Sequence, residues 1–276
     1  MTIVQRLIEI VSALDELQIP HLVMGGHAVR YYGLNRETTD YDLHIPVEAG
    51  QHLSELLSKT TLFVDTPAET TTWRGEDFRR FVLGVLPDGK EELLEFWLRN
   101  HLLDDFAALY QRREVGSYGE RQVSFLSLPD LIRSKETERD SDWDDINILE
   151  GILDQRNVAR AKQSGDSIAA LTMLRSTRGL DAAFRAGLLA DSLVVATALR
   201  QANNPITCAF LLPFAPEVEP EIPSSEILPV LLRKTLAQVT PCSTRHQLLI
   251  EAVRLRYKRA MQTIDRQEKI NRRKQF

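Results

Sequence analysis

HLVMGGHAVRYYGLNRETTDYDLHI, residues 21–45, decides the fold of this 276-residue chain. Residues 21–24 form a short apolar run with strand character, stopped by Gly25-Gly26. Residues 27–32 read as a short helix and 33–39 as a polar loop. From Asp40 to Ile45 the pattern alternates, with Asp40, Asp42 and His44 on one face and Tyr41, Leu43 and Ile45 on the other. That period of two is a strand with its apolar side against a core.

Outward from this stretch the signals remain mixed. Leu7, Ile10, Val11, Leu14 and Leu17 recur at helical spacing, which predicts a helix over 2–18. A further helix is expected over 47–58, entered through Pro46, and a turn-rich loop over 65–76. Strands follow at 78–85 and 92–98, joined by the turn Pro87-Asp88-Gly89, and another at 122–126. Ser127, with Asp130 three residues later, reads as a capping box. It opens a helix through Arg133 and Lys135 that continues or restarts over 142–153. Residues 166–202 and 225–264 read as helical, separated by the proline-rich 213–223. These elements predict an α/β (α+β) chain: a small mixed sheet backed by helices over 1–155, then a mostly helical region over 156–276.

Charge divides the chain along similar lines. Residues 1–150 carry 15 Lys/Arg against 28 Asp/Glu, a balance of −13, while 151–276 carry 19 against 11, a balance of +8. The acidic part suits cations and the basic part suits phosphates. Nine Lys/Arg fall within 251–276, the pattern of a helix that tracks a nucleic-acid backbone, of a solvated tail, or of a complement to the acidic half. No apolar run approaches the roughly 20 residues that cross a bilayer, and the N-terminal stretch does not fit a signal peptide. Cys208 and Cys242 lack metal-ligand spacing, so they read as reduced thiols in a cytoplasmic protein.

Three pieces in order carry chemistry. Two carboxylates at i and i+2 on a strand, Asp40 and Asp42, point the same way with Cα atoms roughly 7 Å apart. Together with a carboxylate from a neighbouring strand they could hold two Mg²⁺ ions about 3.5–4 Å apart. Glu95, within LLEFWL, is the candidate for that third place, with Glu91 and Glu92 as alternatives. Gly25-Gly26, at the entry to a helix, lets backbone N–H groups approach a triphosphate without side-chain obstruction. His27 and His44 flank this constellation and read more readily as structural. Trp97 reads as core or as a stacking surface for a base.

The order of Gly25-Gly26, then Arg36-x-Thr38-x-Asp40-x-Asp42-Leu43, then a separate acidic strand residue resembles the DNA polymerase β-like nucleotidyltransferase superfamily in its minimal bacterial form. The approach through Arg36 and Thr38 looks like that of the AbiEii-type toxins. LPDLIRSKETERDSDWDDINIL, 128–149, resembles the family's helix bearing Lys and Arg-x-x-Asp-x-x-Asp-Ile, with Lys135, Arg139, Asp142 and Asp145 on those positions. On one continuous helix, Lys135, Arg139 and Asp142 would share a face. The resemblance covers about 20–150 and implies the following. Asp40, Asp42 and Glu95 are catalytic and hold Mg²⁺, two ions, with Mn²⁺ as a substitute. Gly25, Gly26, Arg36, Thr38, Lys135, Arg139 and Asp142 bind an NTP. The acceptor hydroxyl belongs to RNA (a tRNA 3′ end, for example), to a protein, or to a small molecule such as an antibiotic. A toxin role would bring an antitoxin partner. A non-catalytic nucleotide-binding or antitoxin-like module is the rival reading.

Overall fold

A computed structural model of the chain describes residues 2–50, 53, 78–86, 88–100, 102–137 and 139–220. The expected loop at 65–76, the helix over 225–264 and the basic stretch 251–276 lie outside the described residues, as does the end of the expected 47–58 helix. The chain divides into two compact units, Met1–Lys135 and Glu136–Phe276.

The first unit is built on a six-stranded mixed sheet in the order β3-β4-β2-β1-β6-β5. Its strands are β1 (Leu22–Val23), β2 (Asp40–His44), β3 (Phe78–Val85), β4 (Glu91–Trp97), β5 (Glu114–Tyr118) and β6 (Arg121–Phe125). The central strand β2 runs antiparallel to β1 and parallel to β4. Directly opposed residues share a face of the sheet, so the register sorts the side chains. Tyr41, Leu43, Leu94, Phe96 and Phe81 lie on one face, all of them buried. Asp40, Asp42, His44, Glu95, Trp97 and Arg80 lie on the other.

Helix α1 (Ile3–Glu16) opens with a complete capping box, in which Thr2 and Gln5 exchange hydrogen bonds. It buries Leu7, Ile10, Val11 and Leu14, the stripe its 3.6-residue period predicts. Its Arg6 lies 3.9 Å from Glu92, which accepts a 2.8 Å hydrogen bond from the Tyr41 hydroxyl on the apolar face. Helix α2 (Gly25–Tyr31) packs on β2 and buries His27, Ala28 and Val29. Helix α3 begins at Val47 and is described to Gly50.

Two elements between 99 and 121 were absent from the sequence reading. Helix α4 (Phe106–Gln111) is capped by Asp105, and β5 pairs with β6 across the two-residue loop Gly119-Glu120. Helix α5 (Leu128–Ser134) begins at Ser127, whose hydroxyl accepts from the Asp130 backbone N–H at 3.4 Å. The same hydroxyl donates to the Asp130 carboxylate at 2.5 Å, and Arg112 clamps that carboxylate with two further bonds.

The second unit is helical over its described residues: α6 (Asp140–Ser164), α7 (Ser167–Thr172), α8 (Thr177–Arg185), α9 (Ser192–Gln201) and α10 (Pro205–Leu211), ending in a 3₁₀ turn (Leu212–Phe214). The expected helical stretch over 166–202 is therefore three helices, restarted by caps at Ser176 and Asp191. The units divide at 135/136, earlier than the expected 155/156, because α6 packs on α7 and α8. Their core gathers Leu171, Leu174, Ala183, Val195, Leu199, Phe210 and Leu211, with the free thiol of Cys208 among them. Among the described residues no helix is long and apolar enough to cross a membrane.

Candidate functional site

On the polar face of the sheet, Asp42 of β2 stands directly opposite Glu95 of β4. Parallel neighbours lie about 4.8 Å apart, so the two carboxyl groups stand side by side. Glu95 is 8% exposed. Burial first, and then the negative charge of Asp42, push its carboxyl up to about 8. Glu92 is turned to Tyr41 on the opposite face, and Glu91 lies opposite Val85 at the outer end of the ladder. Of the three candidate acids on this strand, Glu95 is the one placed beside Asp42.

Arg80 of β3 was not among the sequence candidates. It lies opposite Glu95 and donates to Glu95 Oε1 from Nε at 2.8 Å, with Nη2 at 2.5 Å from the same oxygen. The pattern RRF gave no sign of it, because cross-strand register cannot be read from the β3 sequence alone.

Asp40 is two residues before Asp42 on the same face, and its Oδ1 accepts from the Thr39 hydroxyl at 3.1 Å. Gly25 has φ +59, and a Cβ placed there would fall 1.8 Å from Asp42 Oδ2. Its backbone thus presses on the carboxylate as only glycine permits. A Cβ on Gly26 would meet Thr38 Oγ1 at 2.3 Å. Four of the residues singled out from the sequence, Gly25, Gly26, Thr38 and Asp42, therefore converge on one spot. The Arg36 backbone carbonyl accepts from Arg30 Nη1 at 2.7 Å.

The flanking histidines are buried and neutral in character. His27 stacks on Tyr41 with ring centroids 5.1 Å apart, its Nδ1 lies 3.0 Å from the Tyr118 hydroxyl, and burial lowers its pKa to about 4. His44 sits beside Phe106, and burial lowers it equally. Trp97 meets Phe78 edge-on at 4.8 Å, a packing contact.

The second motif block is arranged differently from its expected form. Lys135, Arg139 and Asp142 do not share one helix: Lys135 is the C-cap of α5 and Arg139 the N-cap of α6. Lys135 is buried and closes the first unit, while Arg139 and Asp142 belong to the second. There Asp142 is fully buried. It accepts from Arg139 Nε at 2.8 Å and Nη2 at 3.2 Å, and from the Thr137 hydroxyl at 2.5 Å. The turn over Thr137 supplies the bonds that break the helix, since Thr137 Oγ1 also accepts from the Arg139 backbone N–H at 3.2 Å.

Two adjoining carboxyl groups with one proton-holding member are a donor set that a divalent cation would relieve, so the Asp42–Glu95 pair fits a metal. Among the described residues no three His, Cys, Asp or Glu side chains stand close enough to hold one ion as they lie. Asp42 and Glu95 provide two.

No protein-family model matches the chain, and no curated protein matches it. Among solved structures, an antigenic nucleotidyltransferase-like protein from Paracoccidioides brasiliensis is similar at 24% identity and TM-score 0.35, over 53% of this chain and 76% of that one. The lincosamide antibiotic adenylyltransferase LnuA, solved with lincomycin bound, is similar at 16% identity and TM-score 0.40, over 54% and 96%. The antibiotic-resistance factor ANT(2'')-Ia is similar at 17% identity and TM-score 0.34, over 71% and 88%.

Proposed function

We propose that the chain is a metal-dependent nucleotidyltransferase that moves an NMP from an NTP to an acceptor hydroxyl. The observation that carries this reading is the Asp42–Glu95 pair backed by Gly25. Asp40, Asp42 and Glu95 would hold the metal, with Asp40 giving up its bond from the Thr39 hydroxyl to do so. Mg²⁺, or Mn²⁺ in its place, would supply charge neutralisation on the triphosphate and an acidified acceptor hydroxyl.

The chain's own groups do the rest. Gly25 and Gly26 present backbone where a side chain would block the phosphates. Asp42 and Glu95 would lie nearest the acceptor hydroxyl, whose proton passes to solvent as its oxygen attacks. The hydroxyl oxygen bonds to the α-phosphorus, the bond from that phosphorus to its bridging oxygen breaks, and pyrophosphate leaves with the electron pair. Rate enhancement rests on alignment and electrostatic stabilisation. The +8 balance of 151–276 favours RNA as acceptor, and the Arg36-x-Thr38-x-Asp40 spacing favours a role beside the toxins of toxin–antitoxin pairs.

The test is incubation with each labelled NTP, Mg²⁺ and, separately, total RNA and RNA-free lysate. Label on RNA, lost in Asp42→Ala, supports the reading. Label on protein or small molecules keeps the reaction and replaces the acceptor. No transfer to any fraction by the intact chain leaves a non-catalytic nucleotide-binding module.

A further inference from the structure

Arg80 lies beside the acid pair, and the resemblance assigns no residue to its position. Both of its close contacts, from Nε at 2.8 Å and Nη2 at 2.5 Å, fall on the same oxygen of Glu95, Oε1. Two donors of one rigid guanidinium on one oxygen fix that oxygen and thereby set the plane of the carboxyl group. Asp42 lies directly opposite Glu95 on its other side in the same arrangement.

The strand register makes the arrangement specific. Arg80 is directly opposite Glu95 on β3, as Asp42 is directly opposite it on β2. Glu95 is therefore bracketed in the sheet by a cation on one side and an anion on the other. Arg80 is about one-third exposed and Glu95 is nearly covered, so the guanidinium is the solvent-facing member that holds the covered acid in place. Two donors on Oε1 restrain the carboxyl more than a single contact would.

From this geometry we infer that Arg80 is the positioning residue of the metal site, holding Glu95 by Oε1 so that its other oxygen is presented beside Asp42. The inference rests on the proposed metal-binding role of Asp42 and Glu95. It assigns to Arg80 no contact with nucleotide or acceptor. Side chains that orient a metal-binding carboxylate change metal affinity or activity by about 10–100-fold when removed.

The experiment measures Mn²⁺ affinity of the nucleotide-free full chain by paramagnetic resonance, with calorimetry as a second readout, for wild type, Arg80→Ala, Arg80→Lys and Asp42→Ala. Circular dichroism melting accompanies each variant and reports whether the sheet survives. The expected result is a loss of about 10–100-fold in Mn²⁺ affinity for Arg80→Ala. Arg80→Lys should recover only part of it, because an ammonium restores the charge without the planar fork. If transfer is measured as well, kcat should fall while KM for the nucleotide stays nearly constant. Unchanged or tighter Mn²⁺ binding in a folded Arg80→Ala protein overturns the inference, as does full recovery in Arg80→Lys. Should Arg80→Ala fail to fold, Arg80→Lys decides: wild-type affinity there overturns the inference, and a clear loss with an intact melt supports it. Asp42→Ala separates the two levels. If it loses Mn²⁺ while Arg80→Ala does not, only the role of Arg80 falls. If it binds Mn²⁺ like wild type, the metal site and the inference fall together.

Discussion

Glu95 in the first unit and Asp154 in the second are both buried carboxyl groups, 8% and 1% exposed, and burial raises both of them. Their company differs. Asp154 Oδ2 accepts from the Ser176 hydroxyl at 2.6 Å, the Ser176 backbone N–H at 2.8 Å and the Arg175 backbone N–H at 3.0 Å. Those donors restrain its rise to about 6. Glu95 has Arg80 on one side but another acid on the other, and stands at about 8. Each acid pocket is also closed by a glycine: a Cβ on Gly25 would fall 1.8 Å from Asp42 Oδ2, and one on Gly179 would fall 2.3 Å from Asp154 Oδ2. A glycine packed against an acid, the half-buried Asp42 beside Glu95 in one unit and the buried Asp154 in the other, serves opposite ends. Surrounded by donors, the acid joins α6 to the start of α8 and is a structural anchor. Set against a like charge, it holds electrostatic strain that only a proton or a cation removes.

The largest effect expected from this contrast is on activity. Asp42→Ala should lower nucleotide transfer by at least about 10²–10³-fold, the usual cost of removing a preorganised electrostatic group. In chelator, the same variant should melt close to wild type, because it removes one acid of a crowded pair that keeps a proton in the absence of a cation. A large drop in its melting temperature would show that Asp42 is an anchor like Asp154, and the contrast would break.

Stability should respond in the other unit. Asp154→Ala leaves three donors without their acceptor and should cost about 3 kcal/mol in denaturant unfolding. Asp154→Asn, which keeps an acceptor oxygen and the volume, should cost less than about 1 kcal/mol. Equal losses in the two variants would mean that packing against Gly179, rather than the hydrogen bonds, fixes this corner.

The strand carrying Asp40 and Asp42 was legible because it obeys a simple period, and Gly25-Gly26 because glycine pairs interrupt apolar runs. Glu95 was legible as one of three acids on a strand, but only the register with β2 separates it from Glu91 and Glu92. Arg80 was invisible for the same reason: its meaning is its cross-strand partner. Whether the helix continued or restarted after Lys135 stayed open in the sequence because KETER consists largely of good helix formers; the structure has the restart, with the Thr137 and Asp142 side chains bonded at the break. The hairpin of β5 and β6 did have a signal, the two-residue turn Gly119-Glu120 with Gly119 at φ +63, set among charged residues that masked the alternation.

Replacing the two glycines sharpens the same comparison at smaller magnitude. Gly25→Ala must overcome both a left-handed backbone, about 1–2 kcal/mol, and the collision with Asp42, so metal affinity and stability should fall together. Gly179→Ala, at an ordinary φ, meets Asp154 first; stability should fall while Mn²⁺ affinity holds. Loss of Mn²⁺ affinity in a folded Gly179→Ala protein would tie the second unit to the proposed metal site and undo the separation of roles.

The smallest effect lies in the pH dependence of stability without divalent cations. Both acids have folded pKa values above their ordinary ones, about 8 against 4.5 for Glu95 and about 6 against 3.8 for Asp154. In each case the folded protein keeps a proton that the unfolded chain has released. The contribution is full below the unfolded value and is lost as pH rises through the folded one. His27 and His44, lowered from 6.5 to about 4, act in the opposite sense and add stability as pH rises between those values. Below pH 6.5 the acids and histidines therefore oppose one another, and only differences between variants are informative: Asp154→Asn should remove a falling component between about pH 4 and 6. Between pH 6.5 and 8 His27 and His44 are silent, and among the described residues Glu95 is the acid whose raised value spans this window. Wild-type stability should fall there by roughly 1 kcal/mol per pH unit, Glu95→Gln should abolish that slope, and Asp154→Asn should leave it intact. Saturating Mn²⁺ should flatten it in wild type, because the cation takes the place of the proton. Persistence of the slope in Glu95→Gln would assign the titration to another group and remove the electrostatic distinction between the two acids.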